Sequence, residues 1–185
     1  MHASPLPRMT SAEFVDWAMR QPSGRYELVD GEVVAMSPER SGHNRVKGNV
    51  YVALRVAIAA ARLPCQTFAD GMAVEIDDRH TYEPDAMIRC GEPLDDDAVV
   101  ARDPLILVEV VSRSSAGTDA GKKLVDYFRL PSARHYLIVD PGRRTVVHHA
   151  RGEDGAIATR IVASGTFRLD PPGIEVATED FFAPA

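Results

Sequence analysis

One stretch of this chain is apolar from end to end except for a single carboxylate: Pro104-Leu105-Ile106-Leu107-Val108-Glu109-Val110-Val111. It is far shorter than the ~20 residues a membrane span needs, so it predicts a buried strand. The small-residue segment from Ser112 to Thr118 follows as a loop. Asp119 to Leu130 then carries Leu124, Tyr127 and Phe128 on one side, which predicts a helix ended by Pro131. His135-Tyr136-Leu137-Ile138-Val139-Asp140 is a second apolar strand. A strand, a helix and a strand in this order form a βαβ crossover, so part of the sheet must be parallel. Glu109 is the anomaly in that frame. A carboxylate inside a buried strand is costly unless a cation or hydrogen bonds hold it.

The remaining chain fills out the same fold class. Thr10-Ser11-Ala12-Glu13 has the form of a capping box ahead of a short helix whose apolar face is Phe14, Trp17 and Ala18; Pro22-Ser23-Gly24 stops it. Tyr26 to Met36 reads as a hairpin turning at Asp30-Gly31. From Gly42 to Arg62, Val46, Val50, Leu54, Ala57, Ile58 and Ala61 recur at helical spacing, and Pro64 ends that helix. Phe68, Met72, Val74 and Ile76 suggest one strand, with a turn at Asp77-Asp78-Arg79-His80 and a returning partner from Asp85 to Arg89. Gly91 to Asp103 is loop-like, with a short helical turn expected at Ala98-Val99-Val100. Edge strands are expected at Ile157 to Val162 and Thr166 to Leu169, and Gly173 to Phe182 closes the chain. The expectation is α/β: one domain over 1–185, ordered from about 9 to 182, with one mixed central sheet flanked by helices.

Composition narrows the function classes. A formal net charge of −6 argues against a globally basic nucleic-acid binder, although a local patch can still meet phosphates. The local clusters Arg40/Arg45/Lys47, Lys122/Lys123 and Arg143/Arg144 have solvated surface charge as their ordinary reading. Cys65 and Cys90 are the two cysteines. Neither lies in a CxxC, which argues against structural zinc. Residues 1–8 have no apolar segment of signal-peptide type, so a reducing, cytoplasmic setting is expected. Ser112-Arg113-Ser114-Ser115 lacks the elbow of a serine nucleophile, and Gly121-Lys122 is followed by Lys123 rather than the Ser or Thr of a phosphate loop.

Asp85, in Glu83-Pro84-Asp85, heads the apolar run Ala86-Met87-Ile88. If its strand neighbours the Glu109 strand, two carboxylates converge and repel, and a divalent cation would relieve them. With the Val110 carbonyl as a third oxygen, the set suits Mg²⁺, with Mn²⁺ as a substitute, and such an ion can activate water against a phosphodiester.

These pieces resemble the PD-(D/E)XK, or restriction-endonuclease-like, nuclease superfamily. More closely, the chain is similar to the bacterial Uma-two family of endonucleases. The resemblance spans roughly Met9 to Phe182. It is carried by Tyr26-Glu27-Leu28-Val29-Asp30-Gly31-Glu32, His43 after Ser37-Pro38, Pro84-Asp85, Val108-Glu109-Val110-Val111-Ser112, Asp119-x-x-x-Lys123-x-x-x-Tyr127 and Tyr136-Leu137-Ile138-Val139-Asp140-Pro141. It implies Mg²⁺-dependent cleavage of DNA. Asp85 and Glu109 would be metal ligands, Glu27 an acid beside the same metal, and Lys123 the catalytic lysine. His43, Ser112 and Tyr127 are further candidates for contact with substrate. The superfamily's lysine sits two residues after the strand acid, where this chain has Val111; Lys123 on the next helix would replace it. A homodimer is expected by analogy.

Blander readings stand beside these. Glu109 suits a buried ion pair, Asp85 a strand start, Glu27 a solvated hairpin, Asp119/Lys123 a surface pair on a helix, and Tyr127 the core. The alternative at the level of function is a catalytically inert nuclease-fold module that binds nucleic acid or a protein. A hydrolase of another phosphoester is a third class.

Overall fold

The computed structural model describes residues 8–111 and 119–184, without the side chains of 119 and 120. In chain order the elements are α1 (Ser11–Met19), β1 (Tyr26–Val29), β2 (Glu32–Ala35), α2 (Ser41–Ala61), β3 (Cys65–Ala69), β4 (Ala73–Asp77), β5 (His80–Tyr82), β6 (Ala86–Cys90), β7 (Val100–Ala101), β8 (Ile106–Val110), α3 (Asp119–Tyr127), β9 (His135–Asp140), β10 (Thr145–Arg151), β11 (Ile157–Val162), β12 (Thr166–Leu169), β13 (Ile174–Ala177) and α4 (Thr178–Phe181).

Local chemistry explains several boundaries. Thr10 and Glu13 form the reciprocal capping box of α1. Asp30 and Gly31 both take positive φ, the backbone a tight two-residue hairpin requires, so β1 and β2 pair from Tyr26↔Ala35 to Val29↔Glu32. The parallel pairing of β8 with β9, from Ile106↔His135 to Val110↔Val139, is the crossover read from the sequence.

The mixed sheet flanked by helices expected above is present, and further strands form sheets beyond the one that was expected. Six strands in the order β11-β10-β9-β8-β6-β3 form the larger sheet, five in the order β2-β1-β5-β4-β7 form a second, and β12 pairs with β13 alone. The division falls at Asp70-Gly71, where Gly71 takes φ +102°. This turn breaks the one strand expected from Phe68 to Ile76 into β3 and β4, one in each large sheet. The Asp77–His80 turn accordingly joins β4 to β5, and β6 pairs instead with β3 and β8. Val100 is not helical; with Ala101 it lies parallel to β4.

Alternation along the larger sheet feeds two cores. Ile106, Val108 and Val110 pack with Val46, Val50, Leu54 and Ile58 of α2. Leu107 and Met87 pack on the other side with Tyr127, Leu130 and Tyr136. Helices α2 and α3 therefore cover opposite faces of β8. Among the described residues no helix is long and apolar enough to cross a membrane. Cys65 and Cys90, register partners in β3 and β6, are joined by a disulfide.

Candidate active site

The register that sets Ala86 opposite Val108 continues one residue to bring Asp85 level with Glu109, and the Asp85 N–H donates to the Val108 carbonyl at 3.0 Å. On the other side of β6, Ala86 opposes Ala69, which brings Asp70 level with Asp85. One end of the β3-β6-β8 ladder thus collects three acids. Helix α3, over one face, supplies Lys123 and Tyr127, and β1 of the second sheet supplies Glu27.

Two buried lysines organise the acids into adjoining groups. Lys123 Nζ lies 2.8 Å from Glu27 Oε1 and 3.1 Å from Glu109 Oε1. The Tyr127 hydroxyl donates to the same Glu109 oxygen at 2.6 Å, and Glu27 also accepts from the Glu83 N–H at 3.0 Å. Lys123 rests over the Tyr82 ring, 5.2 Å from its centre, a cation–π contact that favours the charged amine. In the second group, Lys47 Nζ lies 2.5 Å from Glu39 Oε1, 2.6 Å from Asp70 Oδ2 and 2.8 Å from Asp85 Oδ1. Arg25 closes it from outside, 2.7 Å from Asp70 and 2.9 Å from Glu83. The other Asp85 oxygen, Oδ2, accepts from the Val110 N–H at 2.6 Å.

The electrostatics follow from burial and from an excess of acids. Burial pushes the Glu109 carboxyl up to about 7; Lys123 opposes the rise, while the charges of Asp85 and Glu27 add to it. Burial and the neighbouring Glu109 likewise raise the Tyr127 hydroxyl, which stays protonated and able to donate. Burial works against the Lys47 charge, but Asp85, Asp70 and Glu39 outweigh it and hold the ammonium above the ordinary lysine range. The linked acids Glu27, Glu39, Asp70, Glu83, Asp85 and Glu109 face Arg25, Lys47 and Lys123 as their described counter-ions. A donor set made of oxygens, with more anions than cations, suits a hard divalent ion.

Of the residues singled out in the sequence, Glu27, Glu109 and Lys123 form one group and Asp85 stands in the adjoining one, paired with Lys47; Glu27 is buried rather than solvated. Tyr127 belongs both to the core and to the site, because its ring packs on Tyr136 and its hydroxyl on Glu109. His43, in the first turn of α2, sets Nε2 2.5 Å from the Val110 carbonyl and Nδ1 3.3 Å from Glu39, so the oxygen expected as a metal ligand is held by an imidazole. Ser112 and the Asp119 side chain lie outside the described residues. Lys122, the neighbour of Lys123, pairs with Asp30 in the hairpin turn.

Lys47, Glu39 and Asp70 were not anticipated. Lys47 is buried, not part of a solvated cluster. Its signal was present in the sequence: Lys47, Val50, Leu54 and Ile58 follow at helical spacing, so the lysine lies on the apolar stripe of α2.

A mixed α/β fold with acids gathered at the end of a strand ladder describes a nuclease-like architecture. The fold is shared with a crystal structure described as a putative nuclease belonging to DUF820 from Anabaena variabilis, at a TM-score of 0.74 and 14% identity, covering 94% of this chain and 97% of that one. The chain belongs to the Uma2 family, described as putative restriction endonuclease, whose pattern matches residues 11–179. It is also similar to two uncharacterised proteins of Synechocystis sp.: sll1609, 27% identical over 79% of this chain and 82% of that protein, and slr1290, 23% identical over 96% and 93%.

Proposed function

We propose that this protein is a metal-dependent endonuclease that hydrolyses DNA phosphodiester bonds, with Glu27, Asp85, Glu109 and Lys123 as its catalytic set. The observation that carries the reading is the largely buried group of Glu27, Glu109 and Lys123, from β1, β8 and α3, with Asp85 at the head of β6 brought level with Glu109 by the strand register. Membership of a family described as restriction endonucleases supports it. Asp85 and Glu109 would hold Mg²⁺ or Mn²⁺, with the lone pair of the Val110 carbonyl that His43 does not engage as a third donor. When bound, such an ion supplies a nucleophilic water at neutral pH and charge to offset the phosphate.

The chain's own groups have defined tasks. Tyr127 and Lys123 fix the Glu109 carboxylate by two hydrogen bonds to one oxygen, leaving Oε2 without a hydrogen bond among the described residues. Glu27 holds the Lys123 ammonium from the other side. Lys123 is thereby kept charged where it can orient an attacking water or stabilise a non-bridging phosphate oxygen in the transition state. His43, with Nε2 on the Val110 carbonyl and Nδ1 toward Glu39, would hold the backbone and the acid beside the metal in place.

One observation favours the inert-module reading: Lys47 and Lys123 already pair the buried acids. A cleavage assay on single- and double-stranded DNA and RNA, with Mg²⁺, with Mn²⁺ and with chelator, decides between the two. The nuclease reading expects chelator-sensitive cutting of DNA that is lost in Asp85→Asn. Absence of cutting on every substrate with either metal would leave the inert module.

A further inference from the structure

Lysine is scarce in this chain, with three lysines against eighteen arginines, and two of the three are buried among the acids of the site. Lys47 is the more fully committed. Its ammonium has three N–H donors, and three carboxylates accept them: Glu39, Asp70 and Asp85 at 2.5, 2.6 and 2.8 Å. The same three carboxylates lie within 4.8 Å of one another, so the ammonium occupies the centre of an oxygen cage. A compact ammonium suits that position where the planar fork of arginine would not. One oxygen of Asp85 is spent on Lys47 and the other on the Val110 N–H.

We propose that Lys47 is a built-in counter-cation that competes with the divalent metal for Asp85 and so sets the metal concentration at which the site responds. The inference rests on the proposed role of Asp85 as a metal ligand. A unit charge 2.8 Å from a ligand oxygen repels a second cation there. Displacement is feasible because Glu39 and Asp70 remain as partners, and Arg25 and His43 hold those two in place. The ammonium therefore yields Asp85 without losing its place in the fold.

The test is calorimetric titration of the full chain with Mn²⁺, in the wild type, Lys47→Met, Lys47→Arg and Glu109→Gln. Nitrogen-15 spectra of the lysine ammonium groups during Mg²⁺ addition complement it, and with three lysines the spectrum is simple. Lys47→Met is expected to bind Mn²⁺ at least about tenfold tighter than the wild type, the size of effect that removing a nearby like charge produces. Lys47→Arg, which keeps the charge in a bulkier fork, is expected to show none of this gain. In the wild type the Lys47 signal is expected to move on Mg²⁺ addition while that of Lys122 does not. Equal or weaker binding by Lys47→Met overturns the proposal. So does a Lys47 signal that ignores Mg²⁺ in a wild type that binds it, a measurement that stands even if Lys47→Met fails to fold. Adding Glu109→Gln to Lys47→Met must abolish the gain; a retained gain would mean that Mn²⁺ merely fills the space of the ammonium, and would also overturn it. If the wild type binds no Mn²⁺ and Lys47→Met does so through Glu109, the nuclease reading fails while the competition stands. If neither binds, both fall.

Discussion

Glu109 is costly to ionise where it stands, and its neighbours offset only part of that cost. Burial raises its carboxyl to about 7, against an ordinary value of 4.5. The folded protein therefore holds a proton that the unfolded chain has released, and the stability this proton confers is lost as pH rises from 4.5 through 7. Glu109→Gln removes the titration and keeps a group that can accept from Tyr127 and Lys123. At pH 8 it is expected to melt at the wild-type temperature or a few degrees above it, and to lose Mn²⁺ binding. A variant that melts lower without metal would mark Glu109 as the anchor of a structural ion pair. Lys123 belongs to the same scale. Lys123→Ala is expected to keep Mn²⁺ binding and to lose about 100-fold or more in cleavage rate, the typical cost of a transition-state donor. Lys122→Ala removes a partly exposed pair with Asp30 and should change neither quantity. Equal rates in the two variants would transfer the role away from Lys123. These residues were legible because each is a charge inside or beside an apolar pattern. Glu39 and Asp70 were not, since both lie in loops, and only the register of β3 against β6 and the reach of Lys47 bring them in.

Among the elements, the long helix α2, the β1–β2 hairpin and the β8–α3–β9 crossover were readable, because periodicity and turn residues specify them locally. The assignment of β3 and β4 to different sheets was not, since it depends on partners distant in sequence. The same holds for the histidines of β9 and β10, which looked like ordinary residues of alternating strands. Arg160 donates to His148 Nδ1 at 3.0 Å, so the His148 proton sits on Nε2; that nitrogen donates to His135 Nδ1 at 2.9 Å, and His135 Nε2 donates to the Pro171 carbonyl at 2.9 Å. The chain of donors ties the larger sheet to the turn between β12 and β13, and it requires both rings to be neutral. Burial lowers His135 to about 4 and His148 to about 3; the Arg160 charge acts in the same direction on each. The unfolded chain takes up protons on these rings below about 6.5, which the fold refuses, so their stabilisation is full above 6.5 and declines as pH falls toward 4. Glu109 acts with the opposite sign and is removed in Glu109→Gln, which leaves the histidines of β9 and β10, His149 lowered by burial among them, to set the slope. Denaturant unfolding of that variant between pH 7 and 4 should show stability falling with acid. A flat profile would mean that these rings protonate in the folded state without penalty.

At the scale of the whole molecule, two sheets meet where β3 leaves one to become β4 in the other, and the acids gather beside that junction. The ladder of β3 and β6 carries Asp70 and Asp85 at one end and the Cys65–Cys90 disulfide at the other, so the cross-link clamps the register that aligns the two acids. Nothing in the cysteine spacing indicated this pairing; it depends on two strands lying side by side. The link closes a loop of 25 residues in the unfolded chain. Reduction is expected to cost about 2–4 kcal/mol in unfolding free energy, measured with and without reductant. Two free thiols in the unreduced, denatured protein would contradict the link. The central claim concerns a metal, and it is tested most directly by locating one. Crystals soaked in Mn²⁺ and measured near the manganese absorption edge should show an anomalous peak about 2.0–2.6 Å from carboxylate oxygens of both Asp85 and Glu109. A peak away from this pair, or no peak between them at saturating Mn²⁺, would contradict the account.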